Sequence, residues 1–164
     1  MGCVGFHAGT RRCAFRVSAA DGPDQSIEPF VTGAIMDSAY PDGMPRDVLI
    51  VEDDPIIALD FEDTILGFGV EMVRTAASVA TALDMIAERA PDFALLDVGL
   101  VREKSFAIAE RLCALKIPFV FVTGYGGEGG VPKAFRDAPR LPKPCSSDAL
   151  LTALQRFGSG AFDG

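Results

Sequence analysis

Carboxylate side chains follow two short apolar runs of this sequence, and a hydroxyl and an amine follow two further runs. Glu52 and Asp53 come directly after one run, and Asp97 comes directly after another. Thr123 follows a third run, and Lys143 lies close behind a weaker one. Two like charges about 4 Å apart repel by roughly 4 kcal/mol at an effective dielectric constant of about 20. If these carboxylates meet in the fold, they therefore need a bound cation or a raised pKa.

The ligand atoms on offer indicate both the cation and the reaction. Carboxylate oxygens without histidine nitrogen or cysteine sulfur favour Mg²⁺, with Mn²⁺ as the alternative, over zinc. Lys143 could neutralise one further oxygen, and the Thr123 hydroxyl could donate to another. In such surroundings Asp97 could attack a phosphoryl group, because the cation and the ammonium would stabilise the transferring charge. Asp54 is better explained as a helix cap than as a ligand.

Continuous apolar runs predict the strands that position these residues. The runs at 48–51, 93–96 and 119–122 are apolar throughout, which is typical of strands buried on both faces of a parallel sheet. Weaker strand candidates lie at 70–75 and 140–141. In a parallel α/β sheet, ligands bind at the carboxyl ends of the strands. The side chains that follow the runs are therefore expected to converge at one edge of the sheet.

Helical patterns separate the predicted strands. Asp54 and Ser78 are predicted N-caps of the first two helices, and an apolar stripe over 106–113 indicates a third. Ser146 or Ser147 begins the last helix. Strands that alternate with helices in this way predict a doubly wound α/β fold.

Composition excludes several classes of function. The chain has 164 residues and a net charge of −8, so it would repel the phosphate backbone of nucleic acids. No apolar run approaches the roughly 18 residues that span a bilayer, so no membrane partner is expected. His7 is the only histidine and lies near the amino terminus, which argues against a Ser-His-Asp triad, a histidine zinc site or haem. The four cysteines form no CxxC pair, which favours a reducing, cytoplasmic location.

The sequence pattern divides the chain into three parts. Residues 1–46 show no sustained periodicity and are expected to form a flexible arm. Because Met36 and Met44 precede the regular pattern, this arm could also reflect a start assigned too far upstream. Residues 47–158 are expected to form the folded domain, and residues 159–164 a short tail.

Four short motifs carry a family resemblance. They read VLIVEDDP, LLDVGL, FVFVTGYG and LPKP, and they occur in this order along residues 47–157. Any one of them is weak, but four at the ends of predicted strands are specific. The sequence resembles the receiver domain of two-component response regulators, which implies a flavodoxin-like, five-stranded parallel sheet of order 2-1-3-4-5. The third motif is similar to that of stand-alone receivers with Phe-Ala-Thr-Gly-Tyr, although Val122 replaces the alanine.

The resemblance also implies a phosphoacceptor and a set of metal ligands. Asp97 would accept the phosphoryl group. Glu52 and Asp53 would bind Mg²⁺ together with Asp97, and the backbone carbonyl of Gly99 would be a further ligand.

The remaining site residues take switch roles by the same resemblance. Thr123 would be the hydroxyl that moves onto the phosphoryl group, Lys143 its salt-bridge partner, and the Lys143-Pro144 peptide bond cis. Many receivers carry an aromatic residue three positions before this lysine, where this chain has Arg140. Tyr125 is therefore a candidate for the conformational switch.

The sequence as a whole predicts a single-domain response regulator that is not an enzyme acting on an outside substrate. Its donor would be the phosphohistidine of a sensor histidine kinase or a histidine phosphotransfer protein, and its output protein contact or a role as phosphate relay or sink. A degenerate receiver that serves only as a protein-binding scaffold is the alternative. A flavin-binding module is less favoured, because the acids at 52–54 are the electrostatic opposite of a phosphate cradle. The same acids argue against a nucleotide site at the glycine-rich segment 124–129.

Overall fold

The computed structural model describes residues 43–100, 104–124 and 131–158. Its strands, in chain order, are β1 (Asp47–Val51), β2 (Met72–Ala76), β3 (Phe93–Asp97), β4 (Phe119–Thr123) and β5 (Arg140–Pro142). Its α-helices are α1 (Pro55–Gly67), α2 (Val79–Glu88), α3 (Phe106–Leu115) and α4 (Ser147–Gly158), and a short 3-10 helix (Lys133–Phe135) precedes β5. Residues 1–42 and 159–164 lie outside the described part, so the flexible arm and the tail stay predictions.

All strand pairs of the sheet are parallel, and the strand order is β2-β1-β3-β4-β5. This order confirms the predicted doubly wound, five-stranded sheet. Every residue of β1, β3 and β4 is buried, which explains why these central strands are continuous apolar runs. The edge strands β2 and β5 are more exposed, which explains why their sequence signals are weaker.

Alternate residues of each central strand face opposite layers of the core. In β1, Leu49 and Val51 pack into the layer that α2 and α3 cover. Val48 and Ile50 pack into the other layer, which α1 and α4 cover. Helices therefore cover both faces of the sheet and leave the carboxyl ends of the strands as the place where polar side chains can gather.

Side-chain caps define the start of three helices. Asp54 accepts hydrogen bonds from the backbone N–H groups two and three residues further on, at 2.9 and 3.4 Å, so its predicted role as the cap of α1 is confirmed. Ser78 caps α2 in the same manner. Of the two candidates for the last helix, Ser146 accepts the capping hydrogen bond, and Ser147 is the first helical residue.

The connection between β4 and β5 differs from the other connections. Its described residues contain one short helix, the 3-10 helix, and no α-helix. In the described ranges, no helix is both long and apolar enough to cross a membrane.

A buried ion-pair network lies at the amino ends of β1 and β2, and the sequence patterns did not reveal it. The Asp47 side chain is 3% exposed, and both of its oxygens lie 2.9 Å from guanidinium nitrogens of Arg74. Arg89 contacts the same carboxylate at 3.1 Å. Arg74 also donates to the backbone carbonyl of Met85 near the end of α2. One arginine thus connects two strands with the helix that follows them.

Candidate functional site

The carboxyl ends of four strands position the predicted site residues. Glu52 and Asp53 follow β1, Asp97 ends β3, Thr123 ends β4 and Lys143 follows β5. In the sheet, β3 lies between β1 and β4, and β4 pairs with β5. Because neighbouring parallel strands end at the same edge, residues distant in sequence meet there.

Three carboxylates form the centre of the site. Glu52, Asp53 and Asp97 each offer an oxygen, and these oxygens lie within 4.8 Å of one another. Glu52 is 3% and Asp97 5% exposed, while Asp53 is half-buried and opens the cluster towards solvent. Clustered carboxylate oxygens with access to water are the donor set that Mg²⁺ prefers, so these residues fit the predicted cation.

Lys143 joins two of the three carboxylates. Its Nζ lies 2.6 Å from Oε2 of Glu52 and 3.0 Å from Oδ2 of Asp97. One ammonium therefore offsets part of the repulsion between two buried acids. Lys143 follows β5, which lies two positions from β3 in the sheet.

Backbone N–H groups hold the other oxygens of the same two acids. The N–H of Asp54 donates to Oε1 of Glu52 at 3.1 Å, and the N–H of Gly99 donates to Oδ1 of Asp97 at 2.9 Å. Sequence reasoning missed both contacts, because a backbone donor leaves no trace in the residue type. They fix the direction in which each carboxylate faces its neighbours.

The pKa values of Glu52 and Lys143 reflect this arrangement. Burial raises the pKa of Glu52 above its ordinary value and outweighs the hydrogen bonds from Lys143 and the backbone of Asp54, while the nearby charge of Asp97 adds to the rise. Burial by itself would lower the pKa of Lys143, but its hydrogen bonds to Glu52 and Asp97 outweigh burial and raise it. The lysine therefore stays charged, while burial opposes the charged form of Glu52.

The structure locates most of the other predicted residues. Thr123 is 9% exposed at the end of β4, and its backbone carbonyl accepts a hydrogen bond of 2.7 Å from the N–H of Lys143. The Lys143-Pro144 peptide bond is cis, as the resemblance implied. Tyr125 lies outside the described residues. The functions of Thr123, Tyr125 and the Gly99 carbonyl therefore stay predictions.

A doubly wound parallel sheet with a lysine-bridged acidic cluster at its carboxyl edge is the arrangement that the resemblance to receiver domains implies. Residues 48–155 match the sequence model of the response regulator receiver domain. The match covers most of the described chain, and the protein belongs to this family of two-component signalling proteins.

Individual relatives agree with this assignment. The chain is 30% identical over 116 residues to the transcriptional regulatory protein PdtaR of Mycobacterium tuberculosis. This match covers 68% of this chain and 56% of PdtaR. It is 32% identical over 90 residues to the polar-differentiation response regulator DivK of Brucella anthropi, covering 52% of this chain and 72% of DivK.

A solved structure shows the same fold at higher identity. The solution structure of SdrG from Sphingomonas melonis Fr1 is 43% identical, has a TM-score of 0.59, and covers 66% of this chain and 92% of SdrG. The chain spans about half the length of PdtaR.

Proposed function

We propose that this protein accepts a phosphoryl group on Asp97 from a phosphohistidine of another protein, in the presence of Mg²⁺. The observation that carries the proposal is the convergence of Glu52, Asp53 and Asp97 with the ammonium of Lys143 at one edge of the sheet. Loss of these groups would be expected in a degenerate scaffold, and all four are present.

The chemistry follows from the contacts of Asp97. A carboxylate oxygen of Asp97 attacks the phosphorus atom, the P–N bond to the histidine breaks, and the imidazole leaves with the electron pair of that bond. The product is an acyl phosphate, which water later hydrolyses to restore the carboxylate. Lys143 already contacts Oδ2 of Asp97, so its charge lies where negative charge accumulates. The Gly99 N–H keeps the carboxylate oriented during the attack.

The same geometry supports the proposed cation site. Glu52, Asp53 and Asp97 would hold Mg²⁺, with the Gly99 carbonyl as a predicted further ligand. When bound, Mg²⁺ supplies charge neutralisation for the phosphoryl oxygens and the carboxylates. Thr123 is proposed to donate its hydroxyl hydrogen to a phosphoryl oxygen, since it ends the strand adjacent to that of Asp97.

The proposed phosphoryl donor is a sensor histidine kinase or a histidine phosphotransfer protein. The proposed downstream partner is a protein of unassigned identity. We place the protein among stand-alone receivers of the cytoplasm, with residues 47–158 as the domain and phosphate relay or sink as a further use of the same chemistry. The likeness to SdrG, of which the match covers 92%, and the Thr-Gly-Tyr motif support the proposal of a stand-alone receiver.

Intact mass spectrometry tests the proposal directly. The full chain is incubated with Mg²⁺ and either acetyl phosphate or phosphoramidate, whose P–N bond mimics that of phosphohistidine. We expect the wild type to gain the mass of one phosphoryl group, Asp97→Asn to gain none, and removal of Mg²⁺ by chelation to abolish the gain.

Asp84→Asn is a matched control, because Asp84 is an exposed acid on α2. It should be labelled like the wild type. A folded wild type without added mass, or equal labelling of Asp97→Asn, would contradict the proposal and favour the scaffold alternative.

A further inference from the structure

The two cysteines among the described residues differ in their covalent state. Cys113 on α3 is disulfide-bonded, whereas Cys145 is a free thiol. A disulfide needs a second sulfur, and the chain has four cysteines in all. Elimination leaves Cys3 and Cys13 as the candidates for the partner of Cys113, and both belong to the amino-terminal segment, residues 1–42.

Cys113 lies at the boundary between the core and the surface. It is half-buried in the last turn of α3, and it packs against the core layer that α2 and α3 cover. The next three residues, 114–116, are exposed. A half-buried cysteine on a helix surface can be reached by another segment of the chain, which a cysteine enclosed in the core cannot.

The amino-terminal segment joins the domain at the same edge of the sheet at which Cys113 lies. The segment leads into β1, whose first residue is Asp47. The helix α3 ends shortly before β4, where the N–H of Ile117 donates to the carbonyl of Leu112 at 2.9 Å and the strand begins at Phe119. Cys113 is therefore near the amino ends of the parallel strands, as is the start of β1.

The chain is long enough to connect the two points. About 30 residues separate Cys13 from residue 44, and Cys3 lies further upstream. An extended chain of this length spans about 100 Å, since each residue adds at most about 3.3–3.6 Å. A domain of roughly 100 residues has a radius of gyration of only about 13 Å. Either cysteine can therefore reach α3.

We infer that Cys113 forms a reversible disulfide with Cys3 or Cys13, which ties the amino-terminal segment to α3 under oxidising conditions. In a reducing compartment, protein disulfides are usually transient and act in catalysis or redox sensing. Asp97 ends β3 at the carboxyl edge of the sheet, whereas Cys113 lies near the amino edge. The chain thus has a redox-dependent modification site that is separate from the acidic cluster.

The oxidant that balances the reaction is a low-molecular-weight disulfide such as oxidised glutathione. One protein thiolate attacks a sulfur of this disulfide, so that a mixed disulfide forms and one glutathione thiolate leaves. The second protein thiolate attacks the protein sulfur of the mixed disulfide and releases the second glutathione. The two cysteines lose two electrons and two protons, which the two glutathione molecules take up.

Thiol counting and peptide mapping of the full chain test the inference. The protein is equilibrated in glutathione buffers of increasing oxidised fraction, and its free thiols are then blocked with N-ethylmaleimide. We expect intact mass to show four adducts on the reduced protein and two fewer on the oxidised protein, at the mass of a single chain. Trypsin digestion without reductant should release a peptide pair that joins Cys113 to Cys3 or Cys13, and reductant should separate the pair.

Serine variants identify the sulfur atoms involved. Cys113→Ser, and a double variant with Cys3→Ser and Cys13→Ser, should both lose this peptide pair. Cys145→Ser is the matched control, because it removes a free thiol, and it should keep the pair.

Thermal unfolding provides a second measurement. The cross-link closes a loop of about 100 residues and restricts the unfolded chain, so the oxidised wild type should unfold at a higher temperature than the reduced wild type. The difference should disappear in Cys113→Ser and persist in Cys145→Ser.

Several outcomes would overturn the inference. They are four adducts at every glutathione ratio, a disulfide that joins two chains, a peptide pair that joins Cys113 to Cys145, and an equal thermal difference in Cys113→Ser and the wild type. These measurements detect thiols and unfolding rather than phosphorylation. Failure of the inference is therefore distinguishable from failure of the proposed function.

Discussion

Glu52 lies where burial and a salt bridge act in opposite directions. Burial raises the pKa of its carboxyl group, while the ammonium of Lys143 at 2.6 Å favours the charged form. A glutamate with a raised pKa contributes stability that is present below its ordinary pKa and is lost as pH rises through the raised value. Without a cation, ionisation of Glu52 therefore lowers the stability of the folded protein.

The raised pKa of Glu52 predicts a pH-dependent affinity for Mg²⁺. Protons compete with the cation for this carboxylate, so the affinity should fall as pH is lowered, beginning above the range of an ordinary glutamate. Isothermal titration calorimetry from about pH 8 to about pH 5 measures the effect. Glu52→Gln should bind more weakly and with a flatter pH profile.

Glu71→Gln, which changes an exposed glutamate, is the control and should behave like the wild type. An identical pH profile in Glu52→Gln and the wild type would show that Glu52 is not the titrating ligand.

At the scale of elements, the end of β1 and the start of α1 combine a structural and a functional task. Three consecutive acids, Glu52, Asp53 and Asp54, follow β1. Glu52 and Asp53 belong to the acidic cluster, and Asp54 caps α1. The spacing works because a cap must lie directly before its helix, whereas a ligand must directly follow its strand.

Substitution of the two neighbouring aspartates should separate these tasks. Asp54→Ala removes the capping oxygen, so the free energy of unfolding should fall by about 1 kcal/mol with little change in Mg²⁺ affinity. Asp53→Ala should weaken Mg²⁺ binding strongly and leave α1 capped. Urea denaturation and Mg²⁺ titration measure the two effects, with Asp54→Asn as the variant that keeps a capping oxygen. Loss of Mg²⁺ binding in Asp54→Ala would show that this residue is a ligand after all.

The ion-pair network at the opposite end of the sheet leads to a stability prediction. Arg74→Met leaves the buried Asp47 without its bidentate partner and should lower the free energy of unfolding by about 3 kcal/mol. Arg89→Met removes an arginine that is 60% exposed and should have an effect below about 1 kcal/mol.

A double variant checks the physical reason for this prediction. Asp47→Asn combined with Arg74→Met removes the buried charge and should recover part of the loss, as urea denaturation would show. Equal effects of Arg74→Met and Arg89→Met would mean that the burial of Asp47 does not determine the loss in free energy of unfolding. Phosphorylation of Asp97 should persist in every variant that folds.

At the scale of the whole molecule, the net negative charge and the candidate site both favour the binding of cations. The net charge of −8 opposes binding to nucleic acid and favours cations, and the site gathers three carboxylates at one edge of the sheet. A cation that binds only the folded chain adds its binding free energy to the stability of the fold.

Mg²⁺ should therefore raise the thermal midpoint of the protein. At a concentration one hundred times Kd the gain is about 2.7 kcal/mol, and it should follow the Kd measured by calorimetry. Asp53→Asn should lose most of the gain, and NaCl at matched ionic strength controls for screening. A midpoint that rises equally in NaCl would assign the effect to general screening of charge.

The sequence predicts features that depend on neighbouring residues better than features that depend on distant ones. The central strands and the caps of α1 and α2 are confirmed, because apolar runs and capping residues act over a few neighbouring positions. The sequence patterns predict four α-helices and none between β4 and β5, where the described residues hold only the 3-10 helix. The pairing of Asp47 with Arg74 gave no signal, since a charged residue beside a strand is ordinarily exposed.

The sequence by itself determined which residues could do chemistry and which element each one follows, because strand patterns, caps and short motifs are local. Only the tertiary structure decided that Lys143 contacts both Glu52 and Asp97, and that burial raises the pKa of Glu52. Lys143 and Glu52 are 91 positions apart, and their distance depends on strand order, register and packing together. Electrostatic energy depends on distance and burial, and both are properties of the folded chain.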